Sequence, residues 1–452
     1  MARSDCANPP ITALIISSTI TRSFSLEMAT ITFPYGTAHR SVDIPAEWLG
    51  EIVHPQPVNP AADVPALVQA ALNQPVGCKR LEESVKPGQR VAILVDDYTR
   101  KTPLYQLLPP VLDRLRTAGV RDQDIRIVIA LGSHRPMTPS EIDDKFGPSI
   151  ASCYPVVNTP GTAKGETVYL GTSKNGIPAW VNHVVAEMDF RIGLGMITPH
   201  MDAGFSGGAK IILPGVCSDS AVNAFHARAA DYLGNPLGNP NAALRRDLEE
   251  FVNERIPLDF IVNAIITPNA EVYQCVAGHP IDAHRVGAAH ARRVFGATAR
   301  QRYPIVMAGC YPYEHDLWQS MKGLWCGDLL TADGGTLILL TEAREGSRGY
   351  PRLPAYIGAN PADLKKSLDS GKTEDPKAAA TGVLVGQMMQ RFRISLVSDG
   401  LSPTDAELMG MAYYKSAEAA VESAIARLPK PARQGAIGVL TQAGLVLPIL
   451  RK

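Results

Sequence analysis

The feature that most constrains the fold is a repeated alternation of short apolar segments with polar loops and helices. Residues 91–95 are apolar and β-branched and end in the polar run 96–100, after which residues 104–118 show helical spacing. Residues 125–131 repeat the strand pattern and end in a second polar run, 132–136, before another helix begins. Strands that alternate with helices in this way predict an α/β fold with a parallel sheet.

The alternation continues along the chain and restarts after a long helix expected at 283–295. Further strands are expected at 190–196, 260–265, 304–308, 336–340, 392–397 and 436–440, and a closing helix at 417–428. The chain has 452 residues, too many for one ordinary core. We therefore predict an α/β protein with two lobes of mainly parallel sheet and an active-site cleft between them. The expected domains are an N-terminal α/β domain at 28–285 and a C-terminal α/β domain at 286–452.

Composition argues against several classes of function. The 44 basic and 44 acidic residues give a formal net charge of zero, so no basic field indicates nucleic-acid binding. Every apolar run is interrupted before the roughly 20 residues that a membrane span needs. Seven scattered cysteines without a C-x-x-C pair favour a reducing, cytoplasmic environment. Residues 1–27 lack a clear secretory signal and are expected to be an extension that is disordered or precedes the native start.

Polar side chains end three successive predicted strands, which is where α/β folds place their sites. These residues are Asp97, Thr99 and Arg100 after the first strand, His134 after the second and His200 after the third. An arginine suits bidentate recognition of a carboxylate, and histidines suit proton transfer near neutral pH. Arg100 could instead pair with a surface carboxylate, Asp97 could cap a helix, and each histidine could bond to loop backbone. Three such strand ends together favour a site.

A glycine-rich insert occupies residues 199–210 and reads P-H-M-D-A-G-F-S-G-G-A-K. Ser206, Gly207 and Gly208 could bring backbone N–H groups close to a phosphate. Lys210 offers a charge or a nucleophilic amine. A Walker motif needs a serine or threonine after its lysine, and an isoleucine follows here, so an ATPase is disfavoured.

The remaining histidines give weaker signals. His226 lies on a helix expected at 221–230, where a packed or capping histidine is the ordinary alternative to a metal ligand. No second histidine has zinc-ligand spacing nearby, so a zinc site is not expected. His279, His284 and His290 lack i,i+4 spacing and are expected on a solvated helix face.

In the second lobe, Gln319 and Lys322 are one helical turn apart and so face the same way. Together they could present an amide and an ammonium group to an anionic ligand. A surface helix with buried tryptophans is an equally compatible interpretation.

The chain resembles the lactate racemase family from about residue 28 to its C-terminus. The resemblance is carried by D-D-Y-T-R at 96–100, G-S-H-R-P-M-T at 132–138, the segment 199–210, His226 and Q-S-M-K at 319–322. It implies an isomerase, a racemase or epimerase of a small lactate-like or malate-like 2-hydroxyacid. It also implies a nickel-pincer nucleotide cofactor and, as partners, the enzymes that make this cofactor.

The resemblance assigns cofactor roles to particular residues. Lys210 is the expected attachment point, through a thioamide, and His226 the expected protein ligand to Ni(II), whose preferred square-planar set includes soft ligands. The loop 206–208 is expected to hold the cofactor phosphate through backbone N–H groups. Asp97 and Thr99 are expected beside the cofactor.

The resemblance also assigns the chemistry. His134 and His200 are the expected acid/base pair, one for each enantiomer. One histidine removes the hydroxyl proton while the Cα hydride moves to the cofactor, and hydride return to the other face of the planar 2-keto acid inverts the centre. Arg100 and Lys322 are expected to bind the substrate carboxylate, with Gln319 and Asp97 orienting their neighbours.

One departure from the family concerns the substrate pocket. Lactate racemases carry a late tryptophan there, but this chain has none after Trp325 and reads G-Q-M-M-Q-R-F-R at 386–393. Arg391 or Arg393 could reach a second carboxylate, as malate would require, or could lie at the surface. A non-catalytic phosphate- or nucleotide-binding α/β protein is the alternative function. A nicotinamide dehydrogenase is disfavoured because no G-x-G-x-x-G follows a strand.

Overall fold

Two six-stranded β-sheets flanked by helices organise the protein, which a computed structural model describes for residues 27–161 and 165–451. The strands, in chain order, are β1 (Met28–Tyr35), β2 (Ala38–Pro45), β3 (Leu49–Ile52), β4 (Val91–Asp96), β5 (Ile125–Ala130), β6 (Val156–Val157), β7 (Thr167–Thr172), β8 (Pro178–Asn182), β9 (Phe190–Met196), β10 (Pro199–His200), β11 (Gly204–Phe205), β12 (Phe260–Ile266), β13 (Val272–Gly278), β14 (Gly296–Ala299), β15 (Tyr303–Gly309), β16 (Thr331–Thr341), β17 (Arg393–Ser398), β18 (Ala412–Tyr414), β19 (Ile437–Leu440) and β20 (Leu447–Leu450).

The α-helices connect these strands and cover the faces of both sheets. In chain order they are α1 (Val64–Asn73), α2 (Leu81–Ser84), α3 (Leu104–Thr117), α4 (Pro139–Phe146), α5 (Pro148–Cys153), α6 (His183–Glu187), α7 (Asp219–Ala227), α8 (Ala243–Arg255), α9 (Asp282–Phe295), α10 (Leu317–Leu330), α11 (Leu353–Gly358), α12 (Pro361–Asp369), α13 (Pro376–Arg391), α14 (Pro403–Leu408) and α15 (Ala417–Ala426). Within the described residues, no helix is both long and apolar enough to span a membrane.

The first sheet has the order β13-β12-β9-β4-β5-β6 and is parallel except for β13, which runs antiparallel to β12. All six residues of β4 are buried, as expected for a parallel strand covered by helices on both faces. The strands predicted at 91–95, 125–131, 190–196 and 260–265 all lie in this sheet. Their carboxyl ends carry Asp97, His134 and His200.

The second sheet has the order β18-β17-β16-β15-β19-β3 and is entirely parallel. This sheet contains the strands predicted at 304–308, 336–340, 392–397 and 436–440, so the expected second α/β series is confirmed. One further strand, β20, follows the expected last strand and pairs with β14. The α/β class with mainly parallel sheets is therefore correct.

The expected domain bounds differ from this sheet arrangement at the start of the chain. Strand β3 pairs with β19, and the β1–β2 hairpin buries Phe33 against Ile305 and Met307 of the second sheet. Residues 28–52 thus pack with the C-terminal lobe because their apolar side chains are buried there. The expected division after residue 285 falls inside helix α9. The extension expected at 1–27 lies outside the described residues except for its last one.

The two lobes share a continuous apolar core. Phe205 and Phe225 of the first lobe belong to the same buried cluster as Trp325 and Leu339 of the second. Helix α13 of the second lobe packs against α7 of the first. This packing fixes the loops after β4, β5 and β9 relative to α10.

Candidate active site

A histidine–carboxylate pair joins the ends of two adjacent strands of the first sheet. His134 Nδ1 lies 2.5 Å from Asp97 Oδ2. The other carboxylate oxygen accepts the backbone N–H and the hydroxyl of Thr99, at 3.0 and 2.6 Å. Burial would raise the pKa of Asp97, but the hydrogen bond and charge of His134 outweigh burial and lower this pKa. In neutral His134 the ionised carboxylate keeps the proton on Nδ1 and leaves Nε2 with its lone pair.

These contacts show what Asp97 and Thr99 bind within the protein. Asp97 binds His134, and the Thr99 hydroxyl accepts from Arg100 Nη1 at 3.0 Å. Their expected place beside the cofactor stays a prediction. The helix-cap alternative for Asp97 fails, since α3 begins seven residues later, at Leu104. The two side chains orient His134 and Arg100.

His200 has the opposite hydrogen-bonding arrangement. Its Nδ1 accepts the backbone N–H groups of Asp202 and Ala203, at 3.1 and 3.4 Å. A nitrogen that accepts two N–H groups carries no proton, so neutral His200 carries its proton on Nε2. Burial, reinforced by the charges of Lys210 and Arg100 among other cations, lowers the pKa of His200 well below its usual value.

The glycine loop is shaped by protein partners. The Ser206 N–H donates to Thr198 O at 2.8 Å, and the Gly208 N–H donates to Asn263 Oδ1 at 2.8 Å. The Ser206 hydroxyl donates to Met196 O at 2.9 Å. Two of the three N–H groups expected to hold a phosphate are therefore used internally. Both N–H groups would have to exchange these partners to bind a phosphate, so the phosphate role of residues 206–208 stays a prediction.

Arg245 and His284 hold the carbonyl groups of the same loop. The fully buried Arg245 donates to the carbonyls of Ala203, Phe205 and Gly207. His284, expected on a solvated face, is also fully buried, with Nε2 2.9 Å from Ser206 O. The expectation for His284 is wrong because helix α9 turns this residue into the core. No local sequence pattern marks either residue as a support for the loop.

Substitution of Gly208 by alanine is expected to destabilise the loop. Gly208 has φ +59°, and a Cβ there would lie 2.9 Å from the ring of His284. Gly88 has φ +82°, but a Cβ added at this glycine would meet no atom within 4 Å. Urea unfolding should show that Gly208→Ala costs about 1–3 kcal/mol more than Gly88→Ala, which carries only the backbone strain. Equal losses would show that His284 does not restrict the loop.

Lys210 and His226 lie in the same desolvated part of the cleft. Burial lowers the pKa of Lys210 to about 7, with the charge of Asp202 opposing this shift. Lys210 Nζ lies 5.5 Å from the centre of the Phe225 ring. His226 Nδ1 donates to Val222 O at 2.8 Å, so Nε2 keeps its lone pair. Burial, with the charges of Lys377 and Lys210, lowers the pKa of His226 well below its usual value.

Helix α10 of the second lobe contributes the Lys322 ammonium group to the cleft. Lys322 Nζ donates to Gln319 Oε1 at 2.8 Å and lies 3.5 Å from the centre of the Tyr313 ring. Burial, followed by the charge of Arg100, lowers the pKa of Lys322 well below its usual value. Gln319 and Lys322 therefore share a face, as their spacing predicts, and Lys322 lies within electrostatic range of Arg100 from the first lobe.

The two arginines suggested for a second carboxylate lie at the surface. Arg391 is bound to Asp328 at 2.7 Å and to Asp333 at 3.0 Å, so its charge is already paired. Arg393 is exposed at the start of β17. The cleft instead contains a further cation, Lys377, which no motif in the sequence indicated.

Together, the fold and this geometry define a two-lobed α/β protein with paired histidines and lysines in one cleft. Residues 35–234 match the family described as the lactate racemase N-terminal domain. A lactate racemase from Thermoanaerobacterium thermosaccharolyticum is 29% identical over 381 residues, which cover 82% of this chain and 88% of that protein. One from Lactiplantibacillus plantarum is 27% identical over 366 residues, covering 80% and 86% respectively.

The structural comparison agrees with the sequence comparisons. The lactate racemase apoprotein of Thermoanaerobacterium thermosaccharolyticum superimposes with a TM-score of 0.80 at 26% identity, covering 94% of this chain and all of that one. These matches confirm the resemblance to the lactate racemase family. They identify the chain as an isomerase of the racemase type.

Proposed function

We propose that the protein is a racemase or epimerase of a small 2-hydroxyacid that works with a nickel-pincer nucleotide attached to Lys210. The observation that carries this proposal is the grouping of Lys210, His226 and two oppositely hydrogen-bonded histidines, His134 and His200, in one cleft.

Lys210 and His226 fit the proposed cofactor. With a pKa of about 7, Lys210 has a substantial fraction of neutral amine at neutral pH, and only the neutral amine can form a covalent bond. The hydrogen bond from His226 Nδ1 to Val222 O leaves Nε2 to bind a metal, and imidazole nitrogen suits nickel. When bound, the cofactor supplies the acceptor for the Cα hydride.

The two histidines transfer the proton of the substrate hydroxyl. His134 Nε2 accepts the proton of one enantiomer, and the Asp97 carboxylate stabilises the resulting imidazolium. His200 carries its proton on Nε2 and donates this proton to the keto oxygen when the hydride returns to the other face. Solvent then restores the proton of His200 and takes that of His134. Backbone N–H groups fix the orientation of His200.

Cations from both lobes bind the substrate carboxylate. Arg100 can form two parallel hydrogen bonds with it, and Lys322 adds a point charge. Gln319 holds the Lys322 ammonium in place through its side-chain carbonyl. Because the carboxylate is held, the Cα centre can expose either face while the acid stays bound.

A panel of enantiopure 2-hydroxyacids tests the proposal. Protein co-expressed with the cofactor-making enzymes should contain nickel and convert at least one acid to a mixture of enantiomers, as followed by chiral chromatography. His226→Ala should lose the nickel because its Nε2 ligand is gone. Protein that carries both nickel and the covalent adduct but inverts no acid in the panel would refute the proposed function.

A further inference from the structure

Lys377 is a half-buried cation at the second residue of α13. Its Nζ donates to the Tyr350 hydroxyl at 2.7 Å and forms no ion pair within residues 27–161 and 165–451. The same ammonium lies 4.5 Å from the centre of the Trp318 ring, which stacks on Tyr350 with ring centres 4.3 Å apart. The aromatic pair therefore fixes a positive charge that lacks a carboxylate partner in this part of the chain.

The fold places this charge beside the proposed active site. Trp318 and Lys322 are four residues apart on α10 and share one face of the helix. Trp318, whose ring contacts the Lys377 ammonium, is therefore about one helical turn, or about 5.4 Å, from Lys322, the expected carboxylate anchor. The charge of Lys377 also helps to lower the pKa values of His226 and Lys210 and opposes the raised pKa of Asp202. This influence is consistent with the packing of α13 on α7.

The cleft has more cationic side chains than one substrate carboxylate needs, so a second anionic group could bind there. Arg100 and Lys322 are sufficient to bind one carboxylate, and attachment of a cofactor would remove the charge of Lys210. Asp202 is a carboxylate that Lys377 influences, and burial raises its pKa, an effect that Lys210 and Lys377 partly oppose. Lys377 is then available to a ligand group that lies on the Trp318 side of the carboxylate bound by Lys322.

We infer that Lys377, held by Trp318 and Tyr350, binds the second carboxylate of the substrate and makes the protein selective for 2-hydroxydicarboxylic acids. This inference rests on the proposed function and names its substrate class. Lys377 takes the role that Arg391 and Arg393 do not fill.

Ligand binding to the apoprotein tests Lys377 without the cofactor. Isothermal titration with a 2-oxodicarboxylic acid and with pyruvate should show tighter binding of the diacid to the wild type. Lys377→Met should weaken diacid binding about tenfold to hundredfold, the usual effect of losing a charged hydrogen bond, and leave pyruvate binding unchanged. Lys377→Arg should restore much of the preference. Lys372→Met, which removes an exposed lysine from the preceding turn, should have no effect.

The loaded enzyme separates the remaining outcomes. Lys377→Met should lower kcat/KM for the diacid by a similar factor and leave nickel content and adduct mass unchanged. Equal losses for mono- and dicarboxylic acids would overturn the inference, since Lys377 would then only balance Asp202. Loss of the adduct in Lys377→Met would also overturn it and assign the lysine to an anionic group of the cofactor. A loaded wild type that inverts no 2-hydroxyacid would instead refute the proposed function.

Discussion

Lys210→Met is expected to abolish racemisation and to remove the covalent adduct from the protein. The side chain of methionine has a similar length but no amine, so no bond to a cofactor can form. Lys210→Arg should be equally inactive, because arginine keeps the positive charge but stays protonated at every working pH. Intact-protein mass spectrometry and nickel analysis measure the adduct, and chiral chromatography measures the activity. Lys372→Met should retain both.

The same lysine should be reactive in the apoprotein. Burial lowers the pKa of Lys210 to about 7, so about half of its amine is neutral at that pH, and the neutral fraction falls as the pH decreases. Labelling by an amine-selective reagent at pH 7 should reach Lys210 before exposed lysines such as Lys372, as measured by peptide mass spectrometry. An adduct retained in Lys210→Met would place the attachment elsewhere and contradict the proposal.

Local sequence patterns are sufficient to predict most of the fold and to select the main candidate site residues. Strands such as β4 and β5 are continuous apolar runs, and the polar residues that follow them mark the sheet edge where a site forms. His134 and His200 are candidate site residues for this reason. The spacing of Gln319 and Lys322 was equally local, since one helical turn decides which residues share a face.

Residues that act through long-range contacts could not be predicted in this way. Arg245 reaches the carbonyl of Ala203 from α8, 42 residues along the chain, and His284 reaches Ser206 from α9, 78 residues away. Lys377 comes from a third helix, and no motif surrounds it. Strand β3 likewise joins the sheet of the other lobe by pairing with β19, which lies at the far end of the chain. Such contacts depend on tertiary packing rather than on local spacing.

Asp97→Asn is expected to lower kcat about 10²–10⁴-fold while leaving the fold intact. An asparagine amide can donate to His134 Nδ1, which would move the imidazole proton to Nε2 and remove the lone pair that accepts the substrate proton. The corresponding substitution in a serine-protease triad costs about 10⁴ for this reason. The lowered pKa of Asp97 keeps the carboxylate ionised down to pH values below its usual range, so protonation of Asp97 would not mimic the variant near neutral pH.

Nitrogen NMR of the histidine rings checks the cause of this loss. In the wild type, His134 should give the pattern of an Nδ1–H imidazole, and His200 that of an Nε2–H imidazole, because their Nδ1 atoms face a carboxylate and two backbone N–H groups respectively. Asp97→Asn should shift only the His134 signals, and Asp144→Asn at the exposed surface should shift neither. Identical tautomers for the two histidines in the wild type would contradict the assignment. Since the proton rests on Nδ1 of His134 but on Nε2 of His200, the hydroxyl groups of the two enantiomers should face different histidine nitrogens before the reaction. One faces an unprotonated Nε2 and the other a protonated Nε2.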